Sequence, residues 1–277
     1  MNADQRDVRS DFTDVDRAAD PGHLVRFLNT VSALDVVRAY KRRSLELLEV
    51  QPGQVLLDLG CGNGDDAREL AGMVGPTGRV VGVDRSETLI ATARERLGSQ
   101  PPPVEFQVGD AYRLDFPAAT FDGCRADRVF HHLERPEQAM TELVRVARPG
   151  ARVVTIDPDF ETGIVDAPDR ALTRRLLNLN CDSYRNGWMG RHLRAVFKDA
   201  GLVDVAIEPF VVSFEDYAFA NQVLALEGTV ARAQEAGVAS AAEGERWLAE
   251  LQQASAAGRF FGCLTAFIVR GRKPTTA

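Results

Sequence analysis

Val55-Leu56-Leu57-Asp58-Leu59-Gly60-Cys61-Gly62-Asn63-Gly64-Asp65-Asp66 is the stretch that decides the fold. An apolar, β-favouring segment, Val55 to Leu59, carries a carboxylate at Asp58 and gives way to glycines at 60, 62 and 64. Ala67, Leu70, Ala71 and Val74 then fall at i, i+3, i+4 and i+7, the spacing of one helix face. The run reads as a buried parallel strand, a tight turn and a helix. Glycine tolerates positive φ and leaves bare backbone for a ligand to press against. The first N–H groups of the helix have no intrahelical partner and point into the same crevice.

The dinucleotide fingerprint G-x-G-x-x-G, started at Gly60, needs a glycine at position 65, which is Asp65. Asp65 and Asp66 would also repel a pyrophosphate at the helix start. The D-x-G-x-G-x-G run from Asp58 to Gly64 instead resembles motif I of the class I S-adenosylmethionine (SAM)-dependent methyltransferases. A cationic sulfonium with an amino-acid tail suits an acidic turn better than a diphosphate does.

The pattern then repeats. Arg79-Val-Val-Gly-Val83-Asp84 is a second strand ending in an acid, and Ser86 caps a helix bearing Leu89, Ile90, Ala93 and Leu97. Asp84 lies about 20 residues past the glycine turn, where Rossmann-like folds hold a ribose with a carboxylate. The competing role for such an acid is helix capping. Arg85 is placed along the adenine. After Pro101-Pro-Pro103, Val104 to Val108 forms a third strand ending in Gly109-Asp110-Ala111. This resembles the family's next motif, which implies that Asp110 takes the adenine amino group and the Ala111 N–H meets the ring. Asp110 as a simple turn former is the alternative. The resemblance also brings Asp58, Gly60, Cys61, Gly62 and Arg128 to the cofactor.

Phe116-Pro-Ala-Ala-Thr-Phe121-Asp122 leads into a fourth strand read as ending in Arg128-Val-Phe-His131-His132-Leu. This phrase resembles the small-molecule branch of the family, the group with the ubiquinone- and menaquinone-biosynthesis methyltransferases. A helix from Pro136 to Ala147 and a fifth strand from Ala151 to Ile156, closing with Asp157-Pro158, complete the matched region. The expected fold is a Rossmann-like α/β domain. Its seven-stranded sheet is mostly parallel with the last strand antiparallel.

Residues 1–30 read as an N-terminal arm, with a short helix around Phe12 to Ala19 that folds over a ligand or simply frays. A helix from Asp35 to Glu49 precedes the first strand; its Tyr40 either packs or covers the cofactor. The domain proper is taken as 31–277, with helical insertions at about 159–190 and 214–258 packing together as a lid over the strand ends.

Composition narrows the rest. A formal charge of −7 argues against nucleic acid as the main partner, and strand four lacks the Asn-Pro-Pro-Tyr type of ending used for flipped bases. The four cysteines stand singly, which disfavours structural zinc or a disulfide framework. No metal is expected. A polar N-terminus and the lack of a long apolar run suggest a cytoplasmic protein without a membrane span.

His132 and His131 are the candidate bases, since histidine titrates near neutrality; of the two, His132 matches the histidine common at this place in the family. Asp157, Tyr184, Trp188 and Arg191 are candidates for the acceptor pocket. The reading is transfer of a methyl from SAM, leaving S-adenosylhomocysteine, to O, N or C of a small, partly apolar acceptor. A SAM-binding protein without methyl transfer remains the alternative. The oligomeric state is left open.

Overall fold

The computed structural model describes residues 15–17, 20–32, 34–98 and 103–275. Seven strands, β1 (Val55–Leu59), β2 (Arg79–Asp84), β3 (Val104–Val108), β4 (Phe121–Asp127), β5 (Ala147–Val165), β6 (Val203–Phe214) and β7 (Gly262–Arg272), form one sheet. Their order is β3-β2-β1-β4-β5-β7-β6. The first five run parallel, and β7 is antiparallel to both β5 and β6. The connections reverse direction between β1 and β4, so a crevice opens at the C-terminal ends of those strands.

Neighbouring residues of a strand face opposite sides of the sheet, and β1 shows what this does. Leu57 and Leu59 join Val81, Phe121, Met140 and Phe197 on one face, while Leu56 joins Leu48, Leu70, Val80 and Phe106 on the other. The first face is covered by α5 (Pro136–Val146) and α7 (Met189–Asp199). The second is covered by α2 (Asp35–Leu48), α3 (Asp65–Val74) and α4 (Glu87–Glu95). Ser86 does cap α4, accepting from the Leu89 amide at 3.1 Å.

The outer ends of β5, β6 and β7 carry a second body. α6 (Arg170–Asp182), α8 (Tyr217–Leu224), α9 (Leu226–Glu235) and α10 (Ala241–Ala256) share one apolar cluster with Phe160, Val165, Phe214 and Leu264 of those strands. Buried Trp247 ties it together by donating Nε1–H to the Thr173 hydroxyl at 2.9 Å.

Four boundaries differ from the sequence reading. β5 does not stop at Ile156 but continues to Val165, pairing again with β7 at Ile164 and Val165 after an irregularity. β6 likewise runs on to Phe214. Strand four ends at Asp127; Arg128 turns away at φ +57, and Phe130–His132 form a 3₁₀ turn. The expected N-terminal arm is helical from residue 21 on, where α1 (Pro21–Ser32) begins, and its Leu24 is fully buried. The helix expected over Phe12–Ala19 lies outside the described residues apart from the 3₁₀ turn Val15–Arg17.

Candidate active site

The glycine turn is tied to the end of β2. Gly60 and Cys61 donate their amides to the Val83 carbonyl at 2.7 and 3.1 Å, and Gly62 donates to Asp84 Oδ2 at 2.9 Å. Asp84 Oδ1 accepts the Ser86 amide at 3.0 Å. Gly60 sits at φ +68, and a Cβ there would lie 2.3 Å from Val129 Cγ2. At Gly62, by contrast, the nearest atom to such a Cβ is Leu28 Cδ1 at 3.5 Å. The turn is therefore closed toward β4 and bare toward the crevice.

That crevice is a cavity of about 1010 Å³, at the upper end of the roughly 300–1,000 Å³ common for ligand sites. Gly60, Cys61, Gly62, Asp84, Arg85, Asp110, Ala111, Tyr40 and Arg128 all line it. Burial pushes the Asp84 carboxyl upward, against the backbone donors from Ser86 and Gly62. Asp110 turns its own loop by accepting the Tyr112 amide at 2.9 Å, and its side chain is exposed at the rim.

Asp58 is different: it is 2% exposed and forms no part of the wall. Register places it beside Arg125 of β4 on the face covered by α2 and α3. Arg125 is the hub there. It donates to Asp58 at 3.3 Å, Asp66 at 2.9 Å, Asp127 at 3.1 Å and the Ser44 hydroxyl at 3.0 Å. Lys41 Nζ reaches Asp66 at 2.5 Å and Asp127 at 3.2 Å. Asp58 Oδ2 has no protein partner. Burial pushes the Asp58 carboxyl up to about 7. For Asp66 burial is outweighed by Arg125 and Lys41, which hold it below the usual range.

The sequence reading assigns Asp58 to the cofactor, treats Asp66 only as a charge that repels a pyrophosphate, and has no place for Arg125 or Asp127. Tyr40 joins the edge of this network, with its hydroxyl 3.4 Å from Asp127 Oδ1, and burial pushes it up to about 12. Arg128 Nε lies 3.6 Å from the same carboxylate and is buried without a hydrogen-bond partner. Lys41, Asp66, Asp127 and Arg128 thus give the cavity wall next to Gly60 both signs of charge.

At the far end stand the two histidines. Asp157, fully buried at the end of the parallel part of β5, accepts the His131 amide at 3.0 Å, the Phe130 amide at 3.3 Å and His131 Nδ1 at 2.6 Å. Burial pushes its carboxyl upward. Two backbone donors aim at it as well, and with the carboxylate accepting, the proton shared with the ring belongs on Nδ1. That leaves the lone pair on Nε2. Burial, aided by Arg128, pulls His131 down to about 3, so the imidazole is neutral. His132 stacks at a tilt with centroids 3.8 Å apart and is held low by burial, His131 and Arg128. Both rings line the cavity.

The acceptor-side candidates divide. Tyr184 lines the cavity and stacks on Phe160 with centroids 3.5 Å apart and planes at 9°. Asp157 does not face it; it orients His131. Trp188 is 45% exposed and Arg191 binds Asp159 and Glu161 outside the cavity. Trp188 precedes the first turn of α7, and the buried stripe of that helix starts at Met189 and Gly190, which turns both side chains outward. Phe160, Val212, Phe219, Val223 and Leu264 supply the apolar wall instead.

A switch-point cavity with a glycine turn and a strand-end carboxylate at one end is that of a Rossmann-like, nucleoside-binding enzyme. A methyltransferase-domain family matches residues 57–155. An uncharacterised 37.1 kDa protein of transposon Tn4556 from Streptomyces fradiae is 38% identical over 246 residues, 88% of this chain and 70% of its own length. A demethylmenaquinone methyltransferase of Desulfitobacterium hafniense is 31% identical over 144 residues, 49% of this chain and 57% of its own. The solved phosphoethanolamine N-methyltransferase 2 of Haemonchus contortus, bound to SAM, shares the fold at TM-score 0.61 with 18% identity, over 97% of this chain and 60% of its own. The [4+2]-cyclase SpnF shares it at TM-score 0.54 with 22% identity, over 91% and 92%. The chain belongs to the class I SAM-dependent methyltransferases, and SAM is its cofactor. Among the described residues no helix is long and apolar enough to cross a membrane.

Proposed function

We propose that this methyltransferase acts on a small, partly apolar molecule of quinol-like or secondary-metabolite type, and that the acceptor must lose a proton, as a hydroxyl or acidic carbon does. One observation carries the reading: a single cavity has the Asp84-anchored glycine turn at one end and the carboxylate-backed His131 imidazole at the other. SAM supplies a methyl already activated by its sulfonium. The residues present suit it. Asp84 keeps acceptor capacity for the ribose, and bare Gly62 admits the nucleoside. Asp110 and Ala111 flank the adenine with Arg85 alongside. The mixed charge of Lys41, Arg128, Asp66 and Asp127, with Tyr40 above, matches a zwitterionic amino-acid tail.

On the acceptor side, Tyr184, Phe160 and Phe219 offer flat apolar walls. His131 Nε2 receives the acceptor proton, while Asp157 holds the ring in its productive tautomer and His132 packs beside it. These walls exclude water and align the nucleophile. The net charge of −7 favours this over a nucleic-acid substrate, and we place the reaction in the cytoplasm.

The test is calorimetry with SAM, followed by transfer of a radiolabelled methyl from SAM to a panel of phenols, quinols, hydroxyacids and amines. Label in a hydroxyl- or carbon-methylated product is the expected result. Tight binding with no transfer to any of them, or transfer to amines alone, overturns it.

A further inference from the structure

The 3₁₀ turn Val15–Arg17 reaches across to the start of α4. Asp16 Oδ1 accepts the Ser86 hydroxyl at 2.7 Å and the Thr88 amide at 3.1 Å, and Oδ2 accepts the Glu87 amide at 2.9 Å. The leading amides of a helix have no partners within it, and its N-terminus favours negative charge. α4 therefore has two caps: its own Ser86, and a carboxylate from 70 residues earlier in the chain. Burial would raise the Asp16 carboxyl, but the donors from Ser86, Thr88 and Glu87 pull it down to about 2, so it is ionised throughout the physiological range.

Ser86 is held from both sides, its hydroxyl on Asp16 and its amide on Asp84 Oδ1 at 3.0 Å. Beside this contact Val15 is 6% exposed and packs with Leu24 and Leu89, with Leu28 at the margin. Val15, Leu28 and Leu89 all wall the cavity next to Asp84 and Arg85. Leu28 is also the residue that faces the bare side of Gly62. α1 is fixed in turn through Asn29, which accepts from Arg96 Nη2 at 2.7 Å.

We propose that Asp16 is a positioning residue of the cofactor site. It straps the N-terminal segment over the ribose end of the cavity and, through Ser86, fixes the Asp84 carboxylate. The nucleoside is then covered by this segment, and product leaves when the Asp16 contact opens. The proposal rests on the assignment of that end of the cavity to SAM and adds the element that closes it.

The experiment compares full-length wild type, Asp16→Ala and Asp16→Asn. It measures calorimetric Kd for SAM and S-adenosylhomocysteine, dissociation rates by competition, and protease cleavage between residues 15 and 32 with and without S-adenosylhomocysteine. Asp16→Ala should raise both Kd values about tenfold, the equivalent of one helix cap, with the change in the dissociation rate. Nucleoside protection of the segment should be lost. Asp16→Asn, which keeps an acceptor oxygen, should recover part of the affinity and the protection, a rescue that separates positioning from a general loss of fold. Wild-type affinity and dissociation rate in Asp16→Ala overturn the proposal while leaving the SAM assignment intact. So does an Asn variant that folds and protects no better than Ala. Failure of wild type itself to bind SAM overturns both.

Discussion

Asp84→Ala is the perturbation that bears most directly on the cofactor assignment. In the structure Asp84 accepts the Gly62 amide at 2.9 Å on one oxygen and the Ser86 amide at 3.0 Å on the other, with the Arg85 amide also acting on the carboxylate. A carboxylate has room for about four donors, so a position remains for a ribose hydroxyl. A hydrogen bond to an ionised partner is worth about 1.5–3 kcal/mol. At about 1.4 kcal/mol per decade, the loss of one such bond alone weakens binding by about 10- to 150-fold. The orphaned Gly62 and Ser86 amides add to this. Isothermal titration with SAM and with S-adenosylhomocysteine reads the effect without any knowledge of the acceptor. The ribose is common to both, so both affinities should fall by the same factor. A loss under about threefold, well below one charge-assisted bond, would refute the reasoning. So would a loss confined to one of the two ligands.

His131→Ala and Asp157→Asn should each slow methyl transfer by about 10²- to 10⁴-fold, the usual worth of a positioned base. Calorimetric SAM affinity should stay unchanged, and an equal loss in Kd would show that the ring shapes the cofactor end instead. Because burial lowers His131 from the ordinary 6.5 to about 3, its neutral, proton-accepting form persists as pH falls. The acid limb of kcat/KM should therefore lie well below 6.5, and an inflection at 6.5 would mean a solvated base. Gly60→Ala puts a methyl 2.3 Å from Val129 Cγ2 at a residue with φ +68. The overpacking costs about 1–3 kcal/mol, so the thermal midpoint should drop by several degrees, and an unchanged midpoint would show that the turn yields freely.

The sequence exposes what is local. The apolar runs of β1 and β2, the glycine spacing and the Ser86 cap all depend on residues within one turn or strand of each other, so they can be read directly. The α1 helix is legible too, because Leu24, Phe27, Leu28 and Val31 follow the helical spacing, although the Asp- and Arg-rich segment before them has the composition of a frayed arm. The end of β5 was misread for a different reason. Pro158 looks like a stop, since it lacks the N–H a ladder needs. Ile156 gives its carbonyl to Arg128, on the β4 side, and Pro158, two residues on, faces the same way after β4 has ended. The missing donor has no one to serve there, and β7 carries the strand onward.

Long-range pairings were out of reach. Arg125 in a buried strand makes sense only once Asp58 is known to lie beside it and Lys41 and Asp66 above it. The role of Asp157 likewise emerges only when β5 brings it under His131, 26 residues earlier. Without that pairing His132 looks the better base, whereas the carboxylate backs His131.

The continuous pairing of β6 with β7 from the sheet into the helical body has a mechanical consequence. Paired strands resist bending out of their plane, and these two cross the boundary together, with β5 rejoining them at Ile164 and Val165, so the helices above are held stiffly to the sheet. On the proposal above, cofactor and product pass by the opposite rim, where the described residues are one 3₁₀ turn and α1 held by side chains. Two faces of one cavity are in this way assigned different duties: a stiff one that shapes the acceptor, and a yielding one that sets how long the nucleoside stays.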